Sequence, residues 1–448
     1  MGTESIGRLF LQYSIPTVAA MLFLGLNTIV DGLFVGRYIG TDALACVNIA
    51  MPFSSFLFAF SVVIGIGAQS LIGRKLGAGN ALEAKVAFTT ALLVAGGVSL
   101  LFTAAAVIFP IQTAYFLGAN DHLMPQVATY IRYLGLFLPC LTLMMVLDYV
   151  LKTMAMPVYA MLALVVAVSS HILLNWLLLV KLSMGIKGAA LATGGGYTIA
   201  FVMASLPFFR QKAVLKPFAG SFDTGAARHI LYSGSSEGLS EMGTGITTFL
   251  FNITLMRYVG EMGVAAFTVI SYLAFIGNNV LLGLSDGVGA IISYNYGSCQ
   301  LERVRKALNL LLAATFVIGL GFFIAIFVFS NEVIALFLND GHEKVLTFAV
   351  YGAKVYAFAF LVNGLNIVAA GYFTAIGTPK QAVLIAVSKG IVWITAGIVA
   401  LPLLFGIQGI WLIVPMAESV TVVLSGFLLC RHFKQQVYLS DNWDKGTG

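Results

Sequence analysis

Long apolar stretches recur from one end of this chain to the other, and that recurrence restricts its fold more than any other feature. Polar punctuation separates twelve of them, at about 9–36, 43–72, 84–110, 122–150, 156–180, 187–209, 228–258, 263–296, 304–330, 344–374, 380–402 and 406–432. A helix of about 20 apolar residues crosses the hydrocarbon core of a bilayer. In lipid every backbone N–H and C=O must be satisfied inside the protein, which a helix does locally. Charged residues make up only 9% of the chain, against about 25% in a soluble domain. The short alternating segments of a membrane β-barrel are missing. The sequence therefore predicts an all-α integral membrane protein with twelve transmembrane helices. The first apolar run is too long for a cleavable signal peptide and reads as the first span.

The basic residues orient these spans. With the N-terminus inside, sixteen Lys and Arg fall at inner ends, among them Arg74, Lys75, Lys212 and Arg303, and five at outer ends. Cytoplasmic loops carry the basic excess, so both termini are expected in the cytoplasm of a bacterial-type inner membrane. The same rule accounts for the net charge of +6 and the pI of about 9.0. No basic run with interleaved aromatics points to nucleic acid. The four cysteines are scattered, with no CxxC pair, so neither a zinc site nor a disulfide framework is implied.

The chain also repeats itself. "RYIGTDALACVNIA" (37–50) matches "RYVGEMGVAAFTVI" (257–270), and Gly67 and Gly77 match Gly287 and Gly297 at the same offset of 220. Pro157 matches Pro379, and "GIKGAALAT" (185–193) matches "GIQGIWLIV" (406–414). This predicts an N-terminal six-helix lobe, 1–215, and a C-terminal six-helix lobe, 216–448. An even number of spans per lobe makes the repeats parallel, related by a pseudo-two-fold axis normal to the membrane. Substrate binding between such halves suits alternating access. There is no P-loop, so ATP is not the energy source. The glycines of "GIGAQSLIG" (65–73) and "GGG" (194–196) read as close helix contacts rather than phosphate cradles. No HExxH or GxSxG supports an enzyme, and five dispersed histidines suggest no metal site.

Six carboxylates lie inside spans: Asp31, Asp148, Glu237, Glu241, Asp286 and Glu418. Three bases accompany them, Arg132, Lys354 and Lys389, so the interior is acidic. Ionisable groups in a span face the bundle interior or a watery path and mark function by default. Structural readings stand beside that one. Asp148 and Lys152 are four apart on one helix, the spacing of a simple ion pair. Glu237 and Glu241 share a face of span 7 and are candidates to pair with a lysine. Glu418 and Lys389, on adjacent spans, are candidate counter-ions. Asp31 has no base three or four residues away, and an unpaired buried carboxylate is a natural proton or cation site.

Pro16, Asp31, "VDGLFVGRYIGTDALA", "IGRKLGAGN" and "GIKGAALAT" resemble the multidrug and toxic compound extrusion (MATE) family over essentially the whole chain. The resemblance implies efflux of small organic cations by antiport against protons or sodium, with no cofactor beyond that ion. It implies a coupling site in the N-terminal lobe drawing on a span-1 Asp, a span-4 Asn, an Asn-x3-Asp pair in span 5 and a span-6 Thr. Asp31 and Thr193 fit. His171 and Asn175 hold the span-5 spacing, but with His for the Asn and Asn for the Asp. Asp148 lies near the span-4 position, as if the second acid had moved there. Glu237, Glu241, Asp286 and Glu418 remain candidates for the substrate cavity or a second ion site. Sodium-coupled relatives carry acids in spans 7 and 10. Here span 10 has only Asn363 and Asn366, so the proton is the preferred coupling ion, with sodium at Asp31 the alternative. Pro16 removes one helix hydrogen bond and gives span 1 a hinge. Its counterpart at offset 220 is Ser236, so the lobes are not expected to be equivalent.

Membrane lipid is the expected environment and a monomer the expected working unit. A lipid-linked sugar flippase of the same superfamily would need a basic cavity, which six acids against three bases disfavour. A cation channel would show a filter loop, and none is visible. The loop between spans 2 and 3, "GRKLGAGNALEAK", does not match the major facilitator signature.

Overall fold

The computed structural model describes residues 1–211, 213–335 and 343–446, so Lys212 lies outside the described residues. Those residues are almost entirely helical and contain no strand. The first half runs through α1 (Ile6–Tyr38), α2 (Thr41–Gly77), α3 (Ala81–Ile108), α4 (Pro110–Phe116), α5 (Met124–Gly135), α6 (Leu138–Thr153), α7 (Pro157–Asn175) and α8 (Gly185–Ser205). The second half runs through α9 (Thr224–Tyr258), α10 (Glu261–Gly297), α11 (Leu301–Ala335), α12 (Glu343–Ala357), α13 (Phe360–Ala375), α14 (Pro379–Val387), α15 (Trp393–Phe405) and α16 (Ile407–Gly446). A π-helical turn, Trp176–Lys181, follows α7, and another, Ser388–Val392, joins α14 to α15.

The repeat extends to the helix boundaries. The ends of α1 and α9, and both ends of α2 and α10, are 220 residues apart, and the starts of α7 and α14 are 222 apart. The tight turns recur too. Gly40 and Gly260 break the first helix pair of each half at φ 121° and 81°. Gly79 at φ 74° has Cys299 at φ 58° as its counterpart, a left-handed turn held by a non-glycine.

Two expected spans are bent. Residues 122–150 read as one helix, but α5 and α6 meet at 48°. Pro139, in the first turn of α6, lacks the N–H that would continue the ladder. Residues 344–374 also read as one helix, but the span bends by 48° between α12 and α13. No proline marks that bend. There the chain turns through Ala359 N–H to Tyr356 O at 2.9 Å, and Gly319 of α11 lets the Phe360 carbonyl press against its backbone.

Among the described residues nine helices are long and apolar enough to cross a membrane, and eleven spans result when each bent pair counts as one. The twelfth expected span, α9, has ample length at 35 residues but is not apolar enough. Its middle reads "SGSSEGLSE" (233–241), so the helix is polar where a lipid-facing span would be hydrocarbon.

Packing groups Met1–Gly238, Asp286–Ala307 and Ala375–Gly377 into one compact unit, and Leu239–Ser285, Leu308–Thr374 and Thr378–Gly448 into another. The first unit thus gathers the whole first half with those parts of α9, α10, α11 and α13 that lie toward the basic ends of the helices. Each unit has its own core. Tyr130, Leu138 and Met145 belong to one cluster of the first unit, and Phe251, Phe360 and Trp411 to the core of the second.

Candidate functional site

In the first unit α1 and α8 both pack on α7, and this brings four predicted residues together. Asn175 Nδ2 donates to Asp31 Oδ1 at 3.0 Å, and His171 Nε2 lies 3.3 Å from the same oxygen. The Thr193 hydroxyl is 3.4 Å from His171 Nε2, and Asn175 Nδ2 is 3.1 Å from it. Asp31 therefore has a base after all. The base comes from another helix, which inspection of positions three and four residues away cannot find.

The local sequence explains the geometry. His171 and Asn175 are one turn apart on α7, so both face α1. Gly196 lets α8 close on His171, since a Cβ there would stand 3.0 Å from the His171 Cβ. Gly194 and Gly195 likewise admit the side chains of Phe137 and Leu174, the close-contact role expected of "GGG".

Sequence reasoning missed three members. Asn27, one turn before Asp31 on α1, takes His171 Nδ1 at 2.8 Å through its Oδ1. The Asn27–Asp31 spacing was the available signal. Tyr130 of α5 pairs with Thr193, and both it and Tyr197 of α8 lie within the field of Asp31.

The hydrogen bonds define what this cluster can do. Asn27 Oδ1 only accepts, so His171 Nδ1 carries a hydrogen. In neutral His171 the Nε2 is then an acceptor, served by Asn175 or Thr193. In protonated His171 it is a donor facing the Asp31 carboxylate. One proton thus exchanges two arrangements of the same atoms. Asn175 is fully buried and its Oδ1 has no partner among the described residues, so the cluster also holds a spare acceptor.

Asp148 does not join this cluster. Its Oδ2 pairs with Lys152 Nζ at 2.6 Å on its own helix, the bland reading of that spacing. Lys152 is only 3% exposed and lies over the Tyr149 ring at 4.7 Å. Asp286 belongs to the same neighbourhood: its Oδ2 accepts from the Tyr149 hydroxyl at 3.2 Å, and its backbone carbonyl accepts from Gln69. Glu237 is in the electrostatic field of Tyr149.

The second unit holds a separate network. Asn366 Nδ2 donates to Glu418 Oε2 at 2.7 Å and to its carbonyl at 2.9 Å, and Ser425 donates to Asn366 Oδ1 at 2.7 Å. Lys389, in the π turn, lies 3.8 Å from Glu418 Oε1, as their counter-ion reading required. Glu241 is within the field of Lys389, and Gly243 of α9 touches Gly390 backbone to backbone. Asn363 donates to Asn278 at 2.6 Å. Pro16 sits inside an unbroken α1, where the Thr17 hydroxyl binds the Tyr13 carbonyl one position along from the lost bond.

Known proteins share this architecture. The family model described as MatE matches residues 16–177 and 239–398. A multidrug export protein MepA from Staphylococcus haemolyticus is 24% identical over 433 residues, covering 95% of this chain and 94% of the relative. A crystal structure of a MATE protein in complex with MaL6 superposes with a TM-score of 0.90 at 20% identity, covering 97% and 98% of the two chains. The outward-facing conformation of a multidrug resistance MATE transporter of the MOP superfamily gives 0.90 at 20% identity, covering 97% of each chain.

A duplicated, all-helical membrane chain with paired ionisable groups inside its spans is a multi-pass transporter, not an enzyme. It belongs to the MatE family, whose model covers most of both halves.

Proposed function

We infer that this chain exports small organic cations across the cytoplasmic membrane in exchange for protons, by alternating access, with both termini in the cytoplasm. The observation that carries this reading is the Asp31–His171 pair, 3.3 Å apart and joined by Asn175 and Thr193. The contact offers a proton two arrangements of the same atoms, the Asp31 carboxylate beside a protonated or a neutral His171. Gaining that proton leaves a compensated ion pair, and losing it leaves a carboxylate beside a neutral ring, so the charge of the site follows occupancy. Occupancy and the packing of α1 are then linked, and the linkage is reciprocal. The acid excess within the spans favours cationic substrates, and the relative named a multidrug export protein is consistent with a broad range of them.

The spare Asn175 oxygen supports a second reading, in which sodium is held by Asp31, Asn175 and the Thr193 hydroxyl. Purified protein in liposomes decides between them. Efflux of a cationic dye driven by a pH gradient and indifferent to sodium is expected. A sodium gradient that drives efflux at constant pH selects the second reading. A matched anionic dye carried faster than the cation defeats the cation assignment.

A further inference from the structure

The first compact unit contains a second cluster of titratable groups that the coupling site does not use. It lies where helices of the two halves meet at their basic ends. There α2 touches α9 and α10 backbone to backbone. Gly67 faces the Ile230 carbonyl and Gly234 the Val63 carbonyl; Gly77 faces the Tyr294 carbonyl and Gly297 the Arg74 carbonyl. A Cβ at any of these would collide with the opposite main chain. Glycine contacts of this kind bring helices close but are non-directional, so they set proximity and not commitment.

Commitment comes from a few polar bonds across the same seam. The Tyr149 hydroxyl on α6 donates to Asp286 Oδ2 on α10 at 3.2 Å. Gln69 donates to the Asp286 carbonyl at 3.3 Å, and Ser70 to the Ala375 carbonyl at 3.3 Å. Tyr149 is 2% exposed and its ring is seated on Gly65, where no larger residue fits. The Lys152 ammonium over the ring attracts its π face and polarises the hydroxyl toward donation. Asp148 neutralises that ammonium, so the arrangement carries no bare cation. The next residue after Asp286 is Gly287, packed on Tyr13 and Thr17, which flank Pro16 on the helix that carries Asp31.

We propose that the Tyr149–Asp286 hydrogen bond, clamped by Gly65 and the Lys152–Asp148 pair, is the latch that holds the two halves together at their cytoplasmic ends and must break each time the transporter opens inward. This rests on the alternating-access reading and on the orientation given by the basic residues. Tyr149 is a positioning residue that acts through Asp286 and stands apart from the Asp31 cluster. Its link to the coupling site is α1, bearing Asp31 at one end and packed on Gly287 at the other. The distance between those points along the helix is about 20 Å at 1.5 Å per residue. Pro16, with its missing backbone donor, lies within the contact and lets α1 change shape there. The latch is thus a two-state element that the ion site can bias.

Spin labels at Leu82→Cys and Leu301→Cys test it, on a chain whose four native cysteines are replaced and whose transport is retained. Both sites are exposed at the basic ends of α3 and α11. Pulsed EPR distances are measured in nanodiscs. The parent should show a dominant short distance and a minor long one. Tyr149→Phe should raise the long population roughly fivefold, the effect of one hydrogen bond. Asp286→Ala should do the same, and the double variant should add nothing, because both changes remove the same bond. If Tyr149→Phe does not fold, Asp286→Ala gives the same reading alone. A parent that shifts with dye or pH while neither variant changes the ratio overturns the latch and leaves alternating access standing. So does a lowered melting temperature with an unmoved ratio, the signature of a purely structural contact. A single distance in every chain under every condition overturns both ideas.

Discussion

A histidine faces Asp31 in one half of the molecule and a lysine faces Glu418 in the other. The halves repeat helix by helix, yet these two charge centres do not occupy matching positions. The counterpart of Asp31 at offset 220 is Phe251, fully buried and stacked on Phe267 at 4.7 Å between centroids. Each centre lies beside a π turn, but one turn follows Asn175 while the other carries Lys389 itself. Imidazole offers a nitrogen that either donates or accepts, whereas an ammonium only donates. The first pair joins a carboxylate to a ring that can donate or accept at the same nitrogen. The second, completed by Asn366 and Ser425, is built to stay. A duplicated scaffold has thus kept its geometry and divided its chemistry, and on the proposed function one half would carry the ion while the other holds shape.

The sharpest way to break that comparison is Asp31→Asn. It keeps the side chain's size and removes the titration, so proton-driven dye efflux in liposomes should fall at least about a hundredfold while folded yield is unchanged. Wild-type efflux would move the ion site to the second half, with Glu241 and Glu418 as candidates. His171→Lys turns the first pair into a copy of the second. Transport should drop roughly tenfold, because an ammonium can only donate to Asp31 and cannot accept from Asn175 or Thr193. Glu418→Gln attacks the other side. It removes the carboxylate 3.8 Å from Lys389, and about 3 kcal/mol of stability should be lost. The readout is melting in detergent, with transport per folded molecule nearly intact. Loss of transport at unchanged melting would make this network functional. Thr193→Val should do least. Its contact with His171 is long at 3.4 Å, so efflux should change by no more than about threefold.

Much of the fold was legible because two signals reinforce each other. Apolar runs locate spans, and the 220-residue echo fixes their boundaries and common direction. What escaped was local. The bend between α12 and α13 has no proline and arises from packing against Gly319, which no single-segment pattern carries. The π turns leave no mark in periodicity. At the site, Asp31, His171, Asn175 and Thr193 could be grouped only through resemblance, since they lie up to about 160 residues apart in sequence. Asp148 was drawn to them by span number, but Lys152 one turn away holds it more closely than any tertiary partner. Asn366 was visible only as a place where an acid is lacking, because a neutral amide does not announce its partner until Glu418 is beside it.

The polarity of α9 bears on how the protein is made. A segment with "SGSSEGLSE" at its middle has too little hydrophobicity to leave the translocon for lipid unaided. It needs a neighbour already in place to receive its hydroxyls and carboxylates. Ile230 and Gly234 of α9 are received by Gly67 and Val63 of α2, a helix synthesised long before. Insertion of the second half is then expected to depend on the first. The stretch from Thr224 onward, expressed by itself, should be integrated poorly at its opening helix and recover when the first half is supplied as a separate chain.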